Sequence, residues 1–197
     1  IIQANDYVGS INQFIAGEID AVGVASMDGL TMPAAGGVDT SIRDLTIAAG
    51  APTVEVASFA LAVTGDLNSD GTITSTPATG GVTLSGFAKQ LRGTFDLATL
   101  LINGDYSLSG RLATTNGTGV VVQAPGALQL NGHTADVGGL FTTSAGGLLV
   151  MLNSQDSLLA RGGALFAGGD ESVQLNAGVL VVSGDLIQSG GNPAAFA

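Results

Sequence analysis

The stretch Asp66-Leu67-Asn68-Ser69-Asp70-Gly71-Thr72-Ile73-Thr74 sets oxygen-bearing side chains at alternate positions just ahead of a glycine. That is the first half of a calcium loop. Asp66, Asn68 and Asp70 stand at the first, third and fifth ligand positions, Gly71 at the turn, and Thr72 where a backbone carbonyl is used. Ca²⁺ takes about six to eight hard oxygens from a tightly turning segment, which is why these residue types matter. The twelfth position is Pro77 rather than a bidentate Glu. An Asp, Asn and Gly-rich corner of ordinary β structure has the same composition. Asp66, Asn68, Asp70 and Thr72 are therefore the candidate metal ligands, against a plain polar turn, and Ca²⁺ is the one cofactor the residues suggest.

A second group of carboxylates belongs to a recurring phrase, an apolar zigzag that ends in Gly-Asp. It reads Ala62-Val63-Thr64-Gly65-Asp66-Leu67, Leu101-Ile102-Asn103-Gly104-Asp105-Tyr106 and Val181-Val182-Ser183-Gly184-Asp185-Leu186. Stacked on one edge, Asp66, Asp105 and Asp185 would form a carboxylate ladder; singly, each would cap a strand end by accepting backbone N–H groups. Asp170-Glu171 reads as a solvated acidic pair. His133 is the one histidine, with Asp136 nearby, but no Gly-x-Ser-x-Gly elbow accompanies them, so nucleophilic catalysis has no support. Polysaccharide-cleaving sites need paired acids or a base beside calcium, often with aromatic walls. One Lys, dispersed Arg and no Trp do not make that constellation. Thr72-Ile73-Thr74-Ser75-Thr76 and Thr114-Thr115 suggest an ice-ordering Thr row, yet Thr-x-Thr does not recur as such a row requires.

The elements that must carry these groups are short strands. Val54 and Val56 alternate with polar neighbours; Tyr106, Leu108 and Leu112 are expected on one side of a strand, with Ser107, Ser109 and Arg111 on the other. Further strands read as Val82–Leu84, Val120–Val122, Leu128–Leu130, Leu148–Leu152, Val173–Leu175 and Val179–Val182. Corner formers lie between them: Asn103-Gly104, Asn131-Gly132, Gly146-Gly147 and Gly162-Gly163. The best helical stretch, Ile11 to Ile19, is weak. The Gly-Asp aspartates lie 39 and then 80 positions apart, which suggests a unit of about 40 residues and hence stacked, self-similar coils. A sandwich or barrel is the competing all-β architecture. The scarcity of aromatics and the dominance of Val, Leu, Ile and Ala favour a right-handed parallel β-helix with Gly- and Asn-rich corners. Roughly eight coils of about 25 residues, spaced about 4.8 Å, are expected.

Composition bounds function. The 197 residues include 31 Gly, and only 11% are charged, against about 25% in an average domain. The net charge of −11, with five Lys and Arg, argues against nucleic acid and anionic lipid as partners. Cysteine is absent, so no disulfide or thiolate metal site contributes. The longest apolar stretch, 137–152, is too short and too polar to span a bilayer.

Asp44-Leu45-Thr46-Ile47-Ala48-Ala49-Gly50-Ala51, then Val54-Glu55-Val56, then the phrase through Asp66-Leu67 and Asp70-Gly71-Thr72-Ile73, follow a recurrent order. This order, repeated loosely at Gly126–His133 and Val137–Leu140, resembles the repeats of large bacterial β-solenoid surface and secreted proteins, the class of autotransporter passengers and filamentous-haemagglutinin-like adhesins. The resemblance covers about residues 42–191 and implies a cell-surface or extracellular structural or adhesive segment without catalysis: a stalk, an adhesin or a filament building block. A carbohydrate-active β-helix is the alternative. Residues 1–41 are expected to be variant first coils or an N-terminal cap, and 42–197 a repetitive solenoid continuing in a longer chain. The implied partners are further copies, end to end or side by side, or a surface glycan or other cell-surface ligand.

Overall fold

The computed structural model describes residues 21–24, 30–32, 40–47, 53–56, 60–75, 80–115 and 117–189. The expected helix at Ile11 to Ile19, most of the expected cap, Pro77 and the tail beyond 189 fall outside them. Every regular element among the described residues is a β-strand, and every strand pairing is parallel. The fold is a β-solenoid, and the sandwich alternative is excluded.

One sheet stacks eight strands in the order of the chain: Thr40–Ile42, Ala60–Val63, Gly81–Leu84, Thr99–Ile102, Gly119–Gln123, Phe141–Ser144, Ala164–Ala167 and Leu186–Gln188. The other sheet has twelve strands. In it the long strands Leu67–Thr74, Lys89–Asp96 and Asp105–Thr114 each pair with two or more neighbours, and the register shifts between Asn68 and Thr72 and between Leu108 and Leu112.

Period-two alternation decides which side chains meet. In the eight-stranded sheet Leu61, Val82, Leu100, Val120, Phe141 and Ala164 form one inward column, all essentially without solvent contact. In the large sheet Leu45, Leu67, Leu91 and Leu108 form another. Each coil thus buries its aliphatic groups against equivalent groups above and below, which explains a positive mean hydropathy without any membrane element. No helix among the described residues is long and apolar enough to cross a membrane.

The coil is shorter than expected and its length varies. In the eight-stranded sheet the offset between paired residues runs from 18 positions, Val82 to Leu100, to 23, Phe141 to Ala164. The interval of 39 between Asp66 and Asp105 is therefore two coils, not one. Glycines mark two separate corners. Gly65, Gly86, Gly104, Gly126, Gly147 and Gly169 stack where the chain leaves the eight-stranded sheet; Gly139, Gly162 and Gly184 stack where it returns. The expected strand Val173–Leu175 is instead a turn with one bridge, Leu175 to Met151, because the Gln174 and Leu175 N–H groups both bond back to the Glu171 carbonyl.

Candidate functional site

Asp66, Asn68, Asp70 and Thr72 lie at the start of and along the extended strand Leu67–Thr74. Alternate residues of a strand share a side but are spaced about 7 Å apart, so they line up rather than converge. Each of the first three already has a partner in another coil. Asp66 Oδ1 accepts the Gln90 N–H at 2.8 Å, and Asn68 Oδ1 accepts the Ser109 hydroxyl at 3.1 Å. Asp70 receives both terminal nitrogens of Arg92, at 2.5 and 3.1 Å. Arg92 supplies there the positive charge that an ion would bring. Among the described residues no cluster of three or more His, Cys, Asp or Glu side chains has metal-holding geometry.

The Gly-Asp aspartates do not share an edge. Asp66 and Asp105 sit two coils apart at one corner; Asp185 follows Gly184 at the other. Of the three, Asp66 takes a backbone N–H as a strand cap does, and Asp105 instead takes a side-chain amide. Asp44 Oδ1 accepts the Asp66 N–H at 2.9 Å, Asp66 repeats this on Gln90, and Asp105 Oδ1 accepts the Gln129 side-chain amide at 2.7 Å. Asp44, Asp66 and Asp105 thus each tie their own coil to an adjacent one. Asp44 is held below the usual carboxylate range because the Asp66 N–H and Arg43 outweigh its partial burial, which alone would raise it.

Near His133 the structure builds an ion cluster rather than a hydrolytic triad. Asp136 is almost fully buried, covered by guanidinium groups from both flanking coils. Arg111 Nη2 reaches Oδ2 at 2.7 Å; Arg161 donates from Nε at 2.6 Å and Nη2 at 2.9 Å. The Arg161 bonds above all, opposed by burial, hold this carboxyl below its ordinary range.

Tyr106 is a structural staple the sequence did not single out. Its ring is buried, and its hydroxyl lies 3.1 Å from the Gly86 N–H and 3.0 and 3.1 Å from the Gly65 and Val63 carbonyls. One phenol therefore links three successive coils at the glycine corner. Burial pushes its pKa up to about 12, so it stays neutral throughout the ordinary range. Tyr106→Phe is expected to lower stability by about 2 kcal/mol, because the Gly86 N–H is left buried without a partner. A thermal melt within experimental error of the wild type would show that the staple carries no weight.

Asp170 is exposed as expected of an acidic loop, but Glu171 beside it is not: its side chain is completely buried. Oε1 accepts the Leu149 N–H at 3.4 Å, taking the place of the strand that the next coil lacks at this point. Its other oxygen and the inward-facing Thr143 hydroxyl are both sealed from solvent without completing a hydrogen bond. Burial raises the Glu171 carboxyl to about 7, with the Asp170 charge adding to the rise and Thr143 and the Leu149 N–H opposing it.

No protein-family model matches the chain, nor does any curated protein or solved structure. The functional argument rests on the geometry itself.

Proposed function

We propose that the chain is a structural and adhesive segment of an extracellular or cell-surface protein, a right-handed solenoid serving as stalk, adhesive surface or filament building block, without catalysis of its own. The observation that carries this reading is the eight-stranded sheet, whose seven consecutive parallel pairings run from Thr40 to Gln188 without a register shift. Backbone hydrogen bonds there point along the stack, the arrangement that gives length and stiffness. The resemblance of the repeats to bacterial surface solenoids agrees with it. The ionic groups described above are spent on joining coils, which leaves short polar side chains as the contact surface.

End-to-end stacking belongs to the same proposal. Val179–Val182 and Leu186–Gln188 form the last described rung and pair on one side only, with Val181, Leu186 and Ile187 exposed. Such an edge accepts further strands. Negative-stain microscopy of the purified chain at micromolar concentration tests this, together with antibody labelling of intact source cells. Rods that lengthen with concentration and surface labelling support the proposal; isolated particles and label confined to lysed cells reject it. A carbohydrate-active reading gains nothing comparable, since of the described aromatics only Phe87 is exposed.

Calcium at Asp66, Asn68, Asp70 and Thr72 is a separate proposal, and an ion there must first draw Asp70 from Arg92. Melting with millimolar CaCl₂ against EGTA decides it. Binding raises the melting temperature, whereas an unchanged melt means that Arg92 keeps the carboxylate.

A further inference from the structure

The two sheets differ in one respect that the stalk reading does not use. Asp44, Glu55, Asp70, Lys89, Arg92, Asp96, Asp105, Arg111 and Asp136 all belong to strands of the large sheet. The eight strands of the other sheet contain no charged residue at all. Its central outward column, half-buried by its own neighbours for most of its length, runs Ala62, Thr83, Leu101, Val121, Thr142, Leu165 and Ile187 in register on successive coils, apolar from Leu101 onward except at Thr142. Outward positions of the large sheet hold Thr46, Asn68, Ser107 and Gln129, with apolar residues at Ala113 and Ala127 and then at Leu148, Val150, Leu159 and Val181 in its last described coils.

In the strands Thr99–Ile102 and Gly119–Gln123 the inward side is apolar throughout, and Leu101 and Val121 put an apolar side chain on the outward side as well, beside Thr99, Gly119 and Gln123. Parallel strands read this way where both faces of the sheet are covered. The inner face is covered by the solenoid core. On the outer face nothing of this chain's described residues is seated.

We propose that the outer face of the eight-stranded sheet is a lateral docking surface for a second copy of the chain. The charge distribution selects that occupant. A nucleic acid or anionic membrane needs cations, and the face has none. A glycan platform uses exposed aromatics, and the two Phe of this sheet, Phe141 and Phe166, point inward with ring centroids 5.9 Å apart. Two copies of net charge −11 repel each other broadly, and this sheet lets them meet with no carboxylate on the strands that face each other. An isologous pairing of like apolar faces then satisfies both copies at once.

Size sets the strength. Eight strands at about 4.8 Å, each about four residues wide, give a face of roughly 400 to 450 Å² per copy. That lies below the roughly 800 Å² per partner of a stable complex, so a pair of single chains associates weakly. Longer stacks gain by avidity along their length. Salt screens the net repulsion, so association tightens as ionic strength rises, the reverse of an ion-paired contact.

Sedimentation equilibrium from low to high micromolar protein, at low and high NaCl, tests the proposal. The expected result is an average mass that rises above 19.3 kDa with concentration, sooner at high salt. Leu101→Glu with Leu165→Glu should weaken the pair about tenfold or more, and the milder Leu101→Thr with Leu165→Thr should weaken it less. Thr46→Glu with Ser157→Glu puts the same charge on the other sheet and should leave the pair at near wild-type strength. Circular dichroism checks that each variant retains its β signal. A chain that stays monomeric at every concentration and salt overturns the proposal and leaves the face to another occupant. A dimer that survives both Leu101 and Leu165 double variants also overturns it. End-to-end polymers insensitive to these changes do the same, while leaving the filament reading standing.

Discussion

Gly104→Ala should cost about 4 kcal/mol or more, and Gly110→Ala next to nothing. Both glycines sit six residues apart on the same stretch of chain, so propensity does not separate them. Their surroundings do. A Cβ on Gly104 would collide with the carbonyl oxygen, carbon and nitrogen of Gly86, all backbone atoms of the neighbouring coil. A Cβ on Gly110 would touch only the flexible Arg92 side chain, at 3.2 Å and beyond. Relieving the first clash means parting two coils. That strains the Asp105 N–H bond to the Gly86 carbonyl, 2.8 Å, and the Tyr106 bond to the Gly86 N–H. Overpacking of about 1–3 kcal/mol adds to the lost hydrogen bonds. For a chain of this length that corresponds to a melting point lower by about 8–15 °C. Because a solenoid is held together by nearest-neighbour contacts, the melt should also broaden or split as the stack parts at this corner. A Gly104→Ala melt superimposed on that of Gly110→Ala would refute the account.

The same corner shows how far the sequence could be read. Alternation in Tyr106, Leu108 and Leu112 identified the buried side correctly, and all three are fully buried. A single column is one of the two readings the Gly-Asp phrase allows, yet Gly104-Asp105 and Gly184-Asp185 occupy separate corners. Backbone packs on backbone at both corners, so both demand glycine and the phrase carries no label for either. Coil length is hidden in the sequence for a related reason. Because the offsets vary along the stack, no fixed period is written into the chain, and the strongest interval happened to span two coils. With the true coil length in hand, the charge pairs become legible. Asp70 and Arg92 lie 22 positions apart, and Asp136 lies 25 from both Arg111 and Arg161, each about one coil away. Residues that look scattered along the chain are neighbours along the stack. The candidate calcium ligands show the converse: spacing suited to a loop was found on a strand, where the same spacing makes a row.

Glu171 had no sequence signal beyond its place in an acidic pair, and it carries the second large expected effect. Its carboxyl is raised to about 7 in the fold, against an unfolded value near 4.5, so the folded chain binds the proton more tightly. The contribution of this group is therefore fully present below about pH 4.5 and is lost as pH rises through about 7. The protonated form also makes structural sense, since an O–H on Oε2 can donate to the Thr143 hydroxyl oxygen that otherwise lacks a partner. Glu171→Gln keeps the shape and the acceptor for Leu149 without the charge. Relative to the wild type it should be close to neutral at pH 5 and more stable by about 2–3 kcal/mol at pH 8.5, the free energy of a shift of this size. Comparing the two proteins cancels the carboxylates that work the other way: Asp44 and Asp136, held below their ordinary values, stabilise the fold above their unfolded pKa and cease to as pH falls. Urea titrations of both chains across pH 5 to 8.5 measure the difference directly. Parallel stability curves, with no gap opening as pH rises, would mean that the Glu171 carboxylate reaches water when it ionises and that the coil around it opens at no cost. A widening gap would make this buried carboxyl the point at which the described stack loosens first in alkali.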